Sequence, residues 1–158
     1  MKRIFSLILA IIMVISLLPT QALAAEITTE TDLPDVEPKA APAPWDGTVA
    51  SGFARGEGTA DRPYIIETPQ QLAFFAQFVN GGITNFHVHL AADINLGNMN
   101  WTPIGNDTYS FDGIFRGNGF TINGLKISRT DLRYQGLFGR FQGTASDLIL
   151  NGTLTPAV

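Results

Sequence analysis

A chain of 158 residues has room for one domain and little more, and its 45% apolar content is ordinary for a protein with a buried core. Ten basic residues against fourteen acidic ones give a formal charge of −4. That balance excludes the clustered Lys and Arg that neutralise phosphate, so neither nucleic acid nor anionic lipid is an expected partner. Cysteine is absent, so no disulfide supports the fold and burial must hold it together.

Lys2 and Arg3 precede an apolar run from Ile4 to Leu18, and Ala22-Leu23-Ala24 places small residues where a signal peptidase reads. Residues 1–24 are therefore expected to be a secretory signal peptide, cut after Ala24. A membrane span needs roughly 20 apolar residues, and this run stops short of that at Pro19, so no membrane attachment is expected after cleavage. Cleavage leaves eight basic residues against fourteen acidic ones, a net charge of −6. The expected location is extracellular, either secreted or associated with the cell surface.

Residues 25–44 are rich in Glu, Thr, Asp, Ala and Pro, with prolines at 34, 38, 42 and 44. So little apolar material cannot offset the entropy of ordering, and the segment reads either as an acidic spacer or as a disordered terminus. The folded domain is expected over 45–158. Pro63-Tyr64-Ile65-Ile66 is a short extended run. A helix then starts at Thr68, with Pro69 at its first position and Gln71 completing a Thr-x-x-Gln capping box. Leu72, Phe75, Ala76 and Val79 form one apolar stripe, and Asn80-Gly81-Gly82 ends it. So wide an apolar face must be covered, and the expected place is the open end of a stack of strands.

From Phe86 to Leu96 the pattern alternates, with Val88, Leu90, Ala92, Ile94 and Leu96 on one face and His87, His89, Ala91, Asp93 and Asn95 on the other. This predicts one half-buried strand, the first layer of the stack. An apolar residue followed by Asn returns at Ile94-Asn95, Ile122-Asn123 and Leu150-Asn151, in two equal steps. A fixed period of that length is the signature of a solenoid, in which each turn buries its apolar face against the next. The register predicts the columns Ala92/Phe120/Leu148, Ile94/Ile122/Leu150 and Asn95/Asn123/Asn151. The asparagines are expected at corners, in left-handed conformation, with their amides bonding between layers. Gly113-Ile114-Phe115 and Gly136-Leu137-Phe138 match only at a shorter step, which requires loops of unequal length. The last strand, 148–154, is expected to leave an unpaired edge, with self-association or instability as its consequence.

Several of these segments together resemble the opening of bacterial GLUG-motif surface proteins. They are Gly56-Glu57-Gly58-Thr59, Pro63 to Thr68, Asp93-Ile94-Asn95-Leu96, Trp101-Thr102-Pro103-Ile104-Gly105, Phe111-Asp112-Gly113 and Gly117-Asn118-Gly119. Gly136-Leu137-Phe138-Gly139 matches the Gly-Leu-x-Gly motif that names that family. The resemblance covers about residues 45–154. It implies a right-handed parallel β-helix on secreted or wall-attached proteins, some of them adhesin-like, and a truncated member in this case. The resulting fold class is mostly β: a short right-handed parallel β-helix of about three rungs with an N-terminal capping α-helix.

The same motif accompanies the catalytic part of IgA-specific metallopeptidases, but their chemistry needs His-Glu-x-x-His on a helix. Only His87 and His89 exist, separated by Val88, so no protease activity, no metal and no cofactor is expected. Asp93, Asn95, Asn98, Asn100, Asp107 and Asp112 are oxygen donors of the kind calcium takes, yet the twelfth position from Asp93 is Ile104 and the EF-hand glycine is missing. Glycoside hydrolysis needs two carboxylates across a cleft. Asp107 and Asp112 are the candidates, with Trp101, Tyr109 and Tyr134 as sugar-stacking faces. The sequence thus predicts a non-enzymatic surface module, structural or adhesin-like, with a glycan or a host or cell-surface ligand as partner. The alternative is a carbohydrate-binding or polysaccharide-cleaving protein using Trp101, Tyr109, Asp107 and Asp112 as ligand-binding residues.

Overall fold

The computed structural model describes residues 40–128 and 133–154, and from Ala40 onward the chain forms a single compact unit. The expected signal peptide and residues 25–39 of the expected spacer lie outside the described residues. Within the described residues seven strands and one helix follow in the order β1 (Tyr64–Ile66), α1 (Pro69–Asn80), β2 (His87–Leu90), β3 (Ile94–Asn95), β4 (Ile114–Arg116), β5 (Thr121–Ile127), β6 (Thr144–Ser146) and β7 (Ile149–Leu154). Every pairing between these strands is parallel, in two sheets ordered β1-β2-β4-β6 and β3-β5-β7. The protein is therefore mostly β, built of parallel sheets with one short helix. No helix among the described residues is long and apolar enough to cross a membrane.

The register follows the apolar pattern. Val88 lies between Tyr64 and Phe115 in one sheet, and Ile94, Ile122 and Leu150 stand side by side in the other. Parallel strands cannot be joined by a tight hairpin, so each neighbour comes from a later pass of the chain. In the second sheet the passes from 94 to 122 and from 122 to 150 are equal in length, as the sequence period requires.

The expected strand from Phe86 to Leu96 is instead two strands in different sheets, separated by a bend at 91–93. Alternation alone could not show this, because both halves turn their apolar side chains into the same interior. Val88, Leu90, Ile94 and Leu96 are all fully buried. Nor is β2 the first layer, because β1 precedes it in the sheet. The shorter-step match at the Gly-Leu-Phe-Gly segment is also corrected. Ile114 pairs with Thr144, whereas Phe138 bridges Ile104. Phe111-Asp112-Gly113 instead aligns with Phe141-Gln142-Gly143, through the Phe111 to Phe141 bridge and the Thr144 N–H to Gly113 carbonyl bond of 3.0 Å.

The asparagine column is present but works differently from the expectation. Asn123 pairs with Asn95 in the ladder, and Asn151 Nδ2 donates to Asn123 Oδ1 at 3.0 Å. Among the described non-glycine residues the left-handed positions are Asn98, Asn118 and Asp147, not the stacked asparagines. A regularly paired ladder residue needs extended backbone, so these three fall at the bends between strands, and within β5 positive φ occurs at Gly124, where the register with β7 is irregular. At one such bend Gly117 lies under the next pass of chain. A Cβ there would stand 2.3 Å from the Asp147 carbonyl oxygen, closer than any side chain tolerates.

The helix is capped as its sequence dictates. Gln71 N–H donates to Thr68 Oγ1 at 3.3 Å, and Thr68 N–H donates to Gln71 Oε1 at 3.2 Å. Leu72, Phe75 and Val79 are fully buried. The Phe75 ring sits among Phe86, Phe111, Phe115 and Phe138, with centroids 5.1–6.5 Å away. No polar or charged residue is buried among the described residues, so the side chains of the interior pack chiefly by apolar contact.

The first strand of each sheet is covered on its outer side. Arg55 pairs antiparallel with Ile65, and Pro44 bridges Asn95. Trp45 N–H donates to the Asn95 carbonyl at 2.8 Å, and Asn95 Nδ2 donates to the Pro42 carbonyl at 3.2 Å. Backbone pairing with the sheets thus already involves Pro44, inside the segment that composition assigns to the spacer. Backbone pairing does not depend on apolar content, so composition could not reveal it.

Candidate functional site

Two surface features gather residues from distant parts of the chain. The larger is a groove of about 550 Å³ bounded by the segment from Trp45 to Val49, by the helix residues Ala73, Ala76 and Gln77, and by Trp101 and Thr102. Small residues on α1 make the space, and none of the lining side chains is ionisable. Trp45 and Trp101 meet edge to face with centroids 5.8 Å apart. Trp45 is half-buried and its indole N–H donates to the Thr48 carbonyl at 2.6 Å. These are both tryptophans of the chain.

The second feature is the loop from Gly97 to Ser110, which holds most of the residues singled out by sequence. It is pinned from the helix end. Asn80 Nδ2 donates to the Pro103 carbonyl at 3.0 Å, Gly105 N–H donates to Asn80 Oδ1 at 2.9 Å, and Asn106 Nδ2 donates to the Asn80 carbonyl at 3.3 Å. Asn106 Oδ1 in turn accepts from the Thr108 and Tyr109 N–H groups at 2.9 and 2.8 Å, closing a tight polar turn. Gly105 is in the left-handed region, at φ +89°, and passes against the Arg140 backbone where no side chain fits. Sequence reasoning took Asn80 only as part of a helix stop. Its role as the loop's anchor leaves no local signal, because its partners lie far along the chain, at 103, 105 and 106.

The four residues proposed from sequence are not brought together. Trp101 is 2% exposed and its indole N–H donates to the Leu137 carbonyl at 3.0 Å, so its ring is part of the core and offers no free face for stacking. Tyr109 is 40% exposed and lies against Gly82. Asp107 lines a small pocket with Asn80, Pro103, Arg133 and Tyr134, and Asp112 is not among the lining residues. The Asp107 carboxylate is 3.9 Å from Arg133, and both side chains are at least 70% exposed, so solvent screens the pair. The Asp107 carbonyl accepts from Arg140 Nη1 at 3.0 Å.

His87 and His89 lie on the outer face of β2, each half-buried, and His89 stands opposite Arg116 in the ladder. Burial holds the His89 imidazole below the usual histidine range, and the charges of Arg116 and His87 add to the effect. Among the described residues no group of three or more His, Asp or Glu side chains could hold a metal ion. At the edge of the groove, Asp46 accepts from the Thr48 hydroxyl and N–H at 2.6 and 3.0 Å and from Gln70 at 3.1 Å. Those bonds, the Thr48 hydroxyl's foremost, hold its carboxyl below the usual carboxylate range.

No family model matches the chain, and no solved structure matches it. Two curated proteins do. One is described as a Gly-rich membrane protein, from Evansella cellulosilytica, and is 40% identical over 111 residues, 65% of this chain and 12% of its own length. The other is halomucin from Haloquadratum walsbyi, 34% identical over 123 residues, 72% of this chain and 1% of its own length. The chain thus spans only a small fraction of the curated proteins to which it is similar.

Proposed function

We propose that this protein is a structural module of the cell exterior: a short parallel β-helix of the GLUG-motif type, exported by its N-terminal signal and without catalytic activity. The observation that carries the reading is the shared column Ile94/Ile122/Leu150, in which three evenly spaced passes of chain lie in parallel register over an apolar interior. Such an arrangement gives a rigid body from repeated short passes of chain and devotes its side chains to packing. The names of the relatives support the location, since one is called a membrane protein and the other halomucin. A unit that matches a small part of much longer proteins suits a display or adhesion role. The test is surface exposure. Intact producing cells treated with an external protease should lose the protein, or release it to the medium untreated. Quantitative recovery from the cytosol, protected from protease, overturns the reading.

The uncharged groove favours a second reading, a binding site for neutral sugar, and relocates it from Asp107 and Asp112 to Trp45 and Gln77. A glycan array probed with the protein and with Trp45→Ala tests it. Binding lost in the variant supports a lectin-like role, and no binding to any glycan removes it.

A further inference from the structure

The outer face of the β1-β2-β4-β6 sheet carries a group of basic side chains without counter-charges. Ile65, His89, Arg116 and Ser146 stand side by side across the strands, and His87, Ile114 and Thr144 form the adjoining row. Adjacent strands are about 4.8 Å apart, so His89 and Arg116 are immediate neighbours. Arg116 is exposed and both histidines are half-buried. Every other arginine among the described residues has an acceptor. Arg55 pairs with Glu67, Arg62 with Glu57 at 2.7 Å and Arg133 with Asp107 at 3.9 Å, while Arg140 donates to the Asp107 carbonyl. The side chains of Arg116, His87 and His89 form no hydrogen bond or ion pair among the described residues. The acids at the ends of these strands are placed otherwise. Glu67 is held by Arg55, Asp93 accepts from the Thr121 N–H at 2.9 Å, and Asp112 and Asp147 are exposed with no bond to any of the three.

We propose that this face binds an acidic polysaccharide, with the Arg116 guanidinium holding a uronate carboxylate and His87 and His89 donating to that carboxylate or to the next along the polymer. An ionised carboxylate matches the fork of a guanidinium, and in a chain of net charge −4 this cluster is where an anion finds complementary charge. Nucleic acid is disfavoured, because the group is too small to neutralise a run of phosphates. An acidic peptide would dock by adding a strand, and β2 and β4 are each paired on both sides and offer no edge. A sugar polymer needs no edge. It lies across the face, where half-buried Ile65 and Ile114 give apolar surface beside the charges. The imidazoles add charge only when protonated, so binding strengthens as pH falls. The face shares no residue with the groove at Trp45, and the inference is independent of where the protein resides.

Binding of the full chain, as its cells process it, to sodium polygalacturonate tests this, with the fully methyl-esterified polymer and polyglutamate as comparisons. Polygalacturonate should bind at about pH 5 and roughly tenfold more weakly at about pH 8, since both imidazoles lose their charge in between. Arg116→Gln should weaken binding roughly tenfold at either pH, with unchanged far-UV circular dichroism. The double variant His87→Gln, His89→Gln should bind without pH dependence, and Arg133→Gln should bind as the parent does. No binding at pH 5, equal binding of the methyl ester, or tighter binding of polyglutamate would each overturn the proposal. So would a parent-like Arg116→Gln, or pH dependence that survives in the double variant.

Discussion

Replacing Phe75 with alanine is the sharpest test of how the helix is joined to the strands. Phe75 is fully buried, and its ring meets Phe111 at 5.1 Å, Phe86 at 5.6 Å, Phe115 at 6.0 Å and Phe138 at 6.5 Å between centroids. Truncating a buried Phe costs roughly 3–5 kcal/mol through lost transfer energy and the cavity left behind. The aromatic pairs lost with it place this site toward the upper part of that range. For a folded unit of this size the loss corresponds to a fall of roughly 10–20 °C in Tm. Adjacent Phe74 is the control, being only half-buried and meeting Phe53 and Phe78. Phe74→Ala should cost about 1–2 kcal/mol, in line with partial burial. Thermal and urea melts followed by far-UV circular dichroism measure both. Equal losses at the two positions, or a Phe75→Ala melt that overlays the parent's, would refute the claim that α1 is docked through Phe75.

Three further outcomes follow from local features. Thr68→Ala removes the side-chain half of the capping box and should lower stability by about 1 kcal/mol, read from the urea midpoint at unchanged slope. Gly117→Ala places a methyl group against the Asp147 carbonyl and should cost more than that, because two backbone passes must separate; a neutral result would mean the bend moves freely. Because the His89 pKa is lowered in the folded state, the unfolded chain takes up a proton first as pH falls. Stability should therefore be constant above the ordinary histidine range, decline as pH drops through about 6.5, and level off once the folded imidazole also protonates. His89→Gln should flatten that step in melts from pH 8 to pH 5.

The capping box and the apolar stripe of the helix were legible because they are local: Thr68, Pro69, Gln71, Leu72 and Phe75 carry the signal within a few residues. The Ile94/Ile122/Leu150 column was legible because an apolar residue and Asn repeat at even spacing, at 94, 122 and 150. The register of the other sheet was misjudged, since Gly-Ile-Phe and Gly-Leu-Phe look alike while the true partner of Phe111-Asp112-Gly113 is the less similar Phe141-Gln142-Gly143. That Phe-x-Gly repeat was present in the sequence and was the usable signal. Trp101 could not be placed from sequence. An indole in a polar loop reads as a ligand platform, and only the bond to the distant Leu137 carbonyl shows that it belongs to the interior.

The ring cluster around Phe75 also bears on how the protein unfolds. In a simple repeat array each layer touches only its neighbours, so the ends can fray and stability grows as a sum of nearest-neighbour contributions. Here one side chain from the helix reaches rings at 86, 111, 115 and 138, which belong to successive passes of the chain. Removing any one pass strips contacts from all the others. The described unit should therefore lose its amide protection against hydrogen exchange in one cooperative event centred on this cluster.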